Sequence, residues 1–418
     1  MKRTICMLIL LCGYLSIHAQ LTLDDCQKKA RENYPVIKRY DLIEQSKHYN
    51  LSNAVKGYLP QIQVNAKATY QSEVVSFPIQ LPGITVPTVP KDQYQAVVDV
   101  SQVVWDGGMI RSQKQVIQAA SEIESRQLEV EMYALEDRVN QLFFGILLFD
   151  ARLEQNRMFW EELERNHKTV SDYMKNGIAN QADLDAVRVE QLNAEQTQTQ
   201  LQSTRAAYLE MLSYMIGEPI DKTAVFAKPD AVLPLLSSTS NRPELLLFDA
   251  QKELFDSQKS VIKSSYMPRL GVFIQGGVGR PGLNMLSNSL DPFYIGGVRL
   301  SWNFSSLYSK NNDLRKIEIN KNTVDTQQEL FLYNIRLTEN RQNEDIKRIR
   351  DLMKQDDEII ALRENIRRAA EAKMANGTGT VTDLMREMTQ EDLSRQSKAA
   401  HEIDLLIAIY NLKNTRNN

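Results

Sequence analysis

Two long blocks of this chain contain no proline: all thirteen prolines of the 418 residues fall outside 91–218 and 293–418. Glycine is nearly as scarce there, with Gly145 alone between Gly108 and Gly177 and none between Gly297 and Gly377. With helix breakers this scarce, both blocks are predicted to be very long helices. Aromatic residues make up 7% of the chain and charged residues 25%, which suits helices with solvated faces. Beyond the N-terminus no run approaches the ~20 apolar residues of a membrane-spanning helix. Histidine is rare too: after the first twenty residues only His48, His167 and His401 remain, scattered over distant segments. That leaves no metal or nucleophile constellation of the kind an enzyme needs, and the chain is expected to be non-enzymatic and to carry no cofactor.

The N-terminus has the layout of a signal peptide. Lys2-Arg3 precedes an apolar run from Ile5 to Ile17 and then His18-Ala19-Gln20, so cleavage is expected after Ala19. The run is too short for a spanning anchor, and bulky Leu11 before Cys12 argues against a lipid anchor. Processing removes Cys6 and Cys12, leaving Cys26 with no intrachain disulfide partner, in an apolar setting that suits a small buried thiol. It also removes Lys2 and Arg3, which makes the formal charge of −3 more negative and excludes a nucleic-acid partner.

The chain says nearly the same thing twice. Asn33-Tyr34-Pro35 and Tyr58-Leu59-Pro60 return as Asn241-Arg242-Pro243 and Tyr266-Met267-Pro268, with the same interval between the prolines. Asn176-Gly177 with Asp183-Leu184 returns as Asn376-Gly377 with Asp383-Leu384. The organisation expected is a signal peptide (1–19), a first repeat (20–216), an equatorial connector (217–240) and a second repeat (241–418), stacked around a common axis.

After each Tyr-x-Pro the period changes from 3.6 to 2. Ile62, Val64, Ala66, Ala68 and Tyr70 alternate with Gln61, Gln63, Asn65, Lys67 and Thr69. Over 93–105, Tyr94, Ala96, Val98 and Val100 alternate with Gln95, Asp99 and Ser101. In the second repeat Leu270, Val272, Ile274, Gly276 and Val278 form one face, and Tyr294, Val298, Leu300, Trp302 and Phe304 another. These predict two hairpins, 61–105 and 269–304, whose strands have one apolar and one wet face. Each strand is about ten residues long, enough to cross a bilayer when tilted, and Tyr70, Tyr94, Trp105, Tyr294 and Trp302 stand where interface aromatics belong. Four strands cannot enclose an open interior, so closure calls for further copies, and three would supply twelve. The hairpin loops, 71–93 and 280–292, would face outward.

The first helical block carries a four-three apolar seam through Leu128, Met132, Leu135, Val139, Leu142, Ile146, Phe149 and Leu153, interrupted later by Asn156 and His167. That is a coiled-coil pattern. From Met109 to Lys175 such a helix is about 100 Å long, suited to crossing a periplasm. The second seam, through Ile346, Ile349, Leu352, Ile359, Leu362 and Ile366, is looser. Each long helix ends at Asn-Gly, where glycine suits a left-handed residue. Asn180 and Thr380 then cap returning helices, with Asp183 and Asp383 in the first turn as capping partners or as carboxylates lining a mouth.

The Leu-Thr-Leu-Asp-Asp opening at 21–25, the duplicated Tyr-x-Pro, Trp105-Asp106-Gly107-Gly108 and the two Gly-x5-Asp-Leu turns together resemble the TolC family of outer membrane efflux proteins. The resemblance spans almost all of the mature chain and implies a mainly α fold with membrane β: a TolC-like homotrimer with four strands per protomer in a twelve-stranded barrel in outer membrane lipid, and coiled-coil helices forming a periplasmic α-barrel. It implies an equatorial belt from 217–242 and the C-terminal segment. It also implies a passive exit duct of a tripartite efflux or type I secretion system, working with a periplasmic adaptor (membrane fusion protein) and an inner-membrane transporter of RND, ABC or MFS type. Asn176, Gly177, Asn376 and Gly377 would then be adaptor-docking tips, and Asp183 and Asp383 candidate pore constrictions with a mild cation preference. Gly379 and Arg386 depart from the family's ionic latch at the entrance, so that latch is not carried over.

A periplasmic coiled-coil adaptor is the alternative, since it also has a signal and a long helical hairpin, but it would lack four membrane-length strands and the whole-chain duplication. Gly277-Val278-Gly279-Arg280-Pro281-Gly282 matches a dinucleotide-binding pattern only formally, because it runs from a strand into a proline loop instead of opening a helix.

Overall fold

The computed structural model describes residues 20–74, 90–232, 241–285 and 287–417. The signal peptide, most of the 71–93 loop and the end of the connector lie outside them. The chain forms α1 (Leu23–Asn33), α2 (Lys38–Val55), β1 (Gln61–Tyr70), β2 (Asp92–Trp105), α3 (Met109–Lys175), α4 (Gln181–Ile216), α5 (Pro243–Ser265), β3 (Arg269–Arg280), β4 (Asp291–Ser301), α6 (Lys310–Ala375) and α7 (Val381–Arg416). Two compact units emerge, one from the described parts of 1–38, 128–243 and 330–418, the other from 39–127 and 244–329.

The second unit holds an antiparallel sheet in the order β1-β2-β3-β4. Its register puts Ile62, Val100 and Ile274 in one row, Val64 and Val98 in the next, and Val272 beside Val298. The predicted apolar faces therefore merge into one surface, and between the aromatic ends it carries no charged residue. It is open to solvent in a single chain: Val64 is 73% exposed and Val298 68%. The opposite face carries Gln63, Asn65, Lys67, Asp99, Gln275 and Arg299, with Asn65 donating to Asp99 Oδ2 at 3.3 Å. It is less polar than the alternation suggested, because Phe273, Phe293 and Ile295 share it, and the Arg299 guanidinium lies 4.6 Å over the Phe273 ring. β4 stops at Ser301. Trp302 and Phe304 lie beyond it with rings 4.4 Å apart, and Trp302 Nε1 donates to the Tyr266 carbonyl at 3.0 Å.

That bond explains one duplicated motif. A residue before proline is held extended, so the chain turns from helix to strand at Tyr-x-Pro. In each copy the tyrosine carbonyl is taken by a side chain from the strand end it meets: Gln102 to Tyr58 at 3.3 Å, and Trp302 to Tyr266. The copies differ before it: α5 is one 23-residue helix, whereas α2 is flanked by short 3-10 turns at Pro35–Ile37 and Lys56–Tyr58. Trp-Asp-Gly-Gly is a strand-to-helix corner. Buried Asp106 accepts from Gly108 N at 2.8 Å and Ile110 N at 2.7 Å, capping α3, while Gly107 takes φ 70° with no room for a Cβ beside Met267.

In the first unit, α1 packs its Leu23, Cys26 and Ala30 against Val139, Phe143, Ile146 and Leu212. Burial, more than the charge of Asp25, pushes the Cys26 thiol up to about 11, so it is an inert core residue. The seam residues Leu128, Val139, Ile146, Leu163 and Val170 are fully buried. Asn156 interrupts the seam without an unmet bond, donating to the Ala194 carbonyl of α4 at 3.0 Å. The connector is tied down by a parallel bridge between Leu21 and Phe226 and by Arg205, which pairs with Asp150 and donates to the Lys222 and Ala224 carbonyls. Along α6, Ile346 and Ile349 are buried, but Leu352, Ile359, Leu362 and Ile366 are exposed in the single chain.

Candidate functional site: the hairpin turns and the ionic cluster behind them

Both long hairpins reverse through the same geometry. After α3, Gly177 takes φ 75° and its N–H donates to the Met174 carbonyl, while Ile178 N donates to the Tyr173 carbonyl at 2.9 Å. After α6, Gly377 takes φ 68°, and Thr378 N donates to the Lys373 carbonyl at 2.9 Å. No atom lies within 4 Å of a Cβ built on either glycine, so both turns are open at these positions. Asn176 and Asn376 each donate Nδ2 to the carbonyl four residues back, at 2.9 Å.

The aspartates sit in caps. Asn180 and Asp183 form a reciprocal capping box, with bonds of 3.0 and 3.2 Å. Thr380 accepts from Asp383 N at 3.1 Å and donates its hydroxyl to Asp383 Oδ2 at 2.6 Å. That hydroxyl, first of all, holds the Asp383 carboxyl below its ordinary range. Arg386 lies 3.6 Å from Asp383 Oδ1 and also bonds Glu387 at 3.0 Å. No cation stands within ion-pair distance of Asp183 among the described residues, so its charge is the less compensated of the two.

Behind the turns the apolar seam continues through Phe159, Leu163, Val170, Val187, Met374, Leu384 and Met388. It is then replaced by charge. Arg367 of α6 donates Nε to Glu391 of α7 at 2.7 Å and sends Nη1 to Glu162 of α3 at 3.3 Å and Glu371 at 3.2 Å. Arg395 donates Nη2 to Glu391 at 2.6 Å. Glu391 is 5% exposed at its side chain and Arg367 17%. Burial alone would raise the Glu391 carboxyl, but the bonds from Arg395 and Arg367 outweigh it and hold it below its usual value. One guanidinium thus joins three helices. The cluster was not among the sequence candidates. Its signal was there: Val381, Met385, Met388 and Asp392 follow the four-three spacing, so a carboxylate occupies a seam position where an apolar residue is expected.

The sheet aromatics form two levels. Tyr70, Tyr94 and Tyr294 lie toward the hairpin end and are 79%, 48% and 82% exposed; Trp105 and Trp302 lie at the helix end, at 47% and 48%. Eleven residues separate Tyr94 from Trp105, which at ~3.3 Å per residue and ~45° tilt is a band of about 25 Å.

Residues 27–218 match the family described as outer membrane efflux protein. No curated protein is significantly similar to the chain. Among solved structures it resembles the outer-membrane channel OprN (14% identity, TM-score 0.69, covering 94% of this chain and 89% of that one). It resembles CusC (12% identity, TM-score 0.70, 94% and 92%) and VceC from Vibrio cholerae (12% identity, TM-score 0.63, 93% and 95%) to a similar degree. Family match, four-stranded sheet and long helical hairpins agree: over residues 27–218 the chain matches the outer membrane efflux protein family, and over nearly all its length it has the fold of the outer-membrane channels it resembles.

Proposed function

We propose that three copies of this chain close into a passive channel, each supplying four strands of a twelve-stranded barrel and two long helical hairpins of a periplasmic tube. The observation that carries this is the sheet: an apolar face without charge between its aromatic ends on one side, Lys67, Asp99 and Arg299 on the other, and outer edges of β1 and β4 with no partner among the described residues. An open sheet edge has no place in hydrocarbon, where each unpaired backbone group costs several kcal/mol. The exposed stripe of Leu352, Ile359, Leu362 and Ile366 on α6 is a second surface for neighbouring copies.

The turns at Asn176-Gly177 and Asn376-Gly377 are the tips that meet a periplasmic adaptor, which links the duct to an inner-membrane transporter. Asp183 and Asp383 stand at the entrance, Asp183 contributing most of the cation preference because Arg386 offsets Asp383. The Arg367 cluster seats the α6–α7 hairpin on α3 in the closed form, and opening releases it, biased by the docked adaptor. Purified protein in planar bilayers tests the duct itself: ions pass without nucleotide or partner, in small events at rest. Complete absence of conductance in a correctly inserted protein would reject the reading.

A further inference from the structure

We propose that Asp392 makes the closed state proton-dependent: α6–α7 stays seated on α3 while Asp392 is protonated, and is released when it ionises. This rests on the reading of the Arg367 cluster as the closed-state clamp, and its test separates the two. Asp392 is 8% exposed and lines a groove of about 390 Å³ together with Phe159, Glu162 and Arg165 of α3, Arg367 of α6, and its neighbours Glu391 and Arg395. Its Oδ2 accepts from Gln396 Nε2 at 2.6 Å. Both clamp arginines, Arg367 and Arg395, are committed to other carboxylates. Arg395 sends both Nε and Nη2 to Glu391, and Arg367 spends its donors on Glu391, Glu162 and Glu371.

The charged groups facing the groove are Glu161, Glu162 and Arg165 from α3, Arg367 from α6, and Glu391 and Arg395 from α7. A neutral Asp392 can be sealed among them; an ionised one sits buried beside two further carboxylates without its own guanidinium. Burial first, then the charges of Glu162 and Glu391, push the Asp392 carboxyl up to about 7. Burial raises Glu162 in the same direction.

The sign follows. The packed form holds the Asp392 proton up to about pH 7, whereas in the released, solvated form it is lost near the ordinary carboxylate value of ~3.9. Between these limits release gives up a proton, so it is favoured by up to about tenfold per pH unit per protomer and levels off above about 7. Glu391, held low, would oppose this only in stronger acid, where its protonation loosens the arginines.

Open probability in planar bilayers, measured from pH 5 to 8.5 for the native protein, Asp392→Asn and Arg367→Met, decides it. The native channel should rise at least tenfold between pH 5 and 7 and then flatten, and Asp392→Asn should stay at the low value throughout. A native profile that is flat in that window, or one that Asp392→Asn retains, overturns the proposal. Arg367→Met distinguishes the underlying clamp: if it opens at every pH while Asp392→Asn changes nothing, the clamp stands and proton control falls. Should Asp392→Asn fail to assemble, spin labels at Lys168 of α3 and Ser397 of α7 in the otherwise native trimer take its place. Their separation should lengthen from pH 5 to 8, and an unchanged distance rejects the idea.

Discussion

Arg367→Met is the sharpest perturbation of the clamp, because methionine keeps an unbranched apolar stem and removes the guanidinium with its charge. It deletes the bond to Glu391 at 2.7 Å and the ion pair to Glu162 at 3.3 Å. Glu391 keeps Arg395, so the loss is not the ~3–5 kcal/mol of a buried charge left alone. The pair with exposed Glu371 adds under ~1 kcal/mol. What remains is a charge-assisted hydrogen bond between largely buried partners, worth about 1.5–3 kcal/mol. At 1.4 kcal/mol per tenfold, release of the hairpin should become about 10–150 times more favourable in each protomer. Single-channel recording at pH 7 should show long, high-conductance openings for Arg367→Met and an intermediate state for Arg367→Lys, which keeps the charge but not the fork. Native-like open probability in a methionine variant whose assembly is intact would refute the clamp.

Asp183→Asn keeps an oxygen for the Asp183–Asn180 cap and removes the charge, so the helix should survive while cation preference falls; unchanged reversal potentials in a salt gradient would reduce Asp183 to a cap. At Gly177 and Gly377 a bulky residue meets no neighbour but must adopt positive φ, costing about 1–2 kcal/mol locally, so Gly177→Trp and Gly377→Trp should assemble yet abolish export in cells, and normal export would remove the tips from docking. Val64→Lys places a cation in the middle of the apolar face, at about 2–4 kcal/mol, and should lower the yield of folded barrel, whereas Gln63→Lys on the opposite face should not; equal yields would contradict the assigned faces.

Much of this was legible in the sequence because it is periodic. Strand faces show as alternation, and long helices as the absence of proline and glycine. The β1 bounds agree with the Gln61–Tyr70 alternation to the residue, since Pro60 fixes one end. The polar face is less polar than alternation alone implies: Phe273 and Phe293 are compatible with it because Arg299 and a glycine-rich neighbour strand accept rings there, a pairing that only the register reveals. Trp302 continued the alternation but falls outside β4, drawn off by the Tyr266 carbonyl. The Arg367–Glu391–Glu162 cluster joins three helices, and no local pattern states which distant carboxylate an arginine will meet. Only the misplaced Asp392 in the α7 seam pointed to it.

The account stands on closure of the sheet by other copies of the chain. Native mass spectrometry of the protein released from detergent-extracted outer membranes should give three times the mass of the processed chain as the dominant species. A monomer, stable in water and indifferent to lipid, would contradict it.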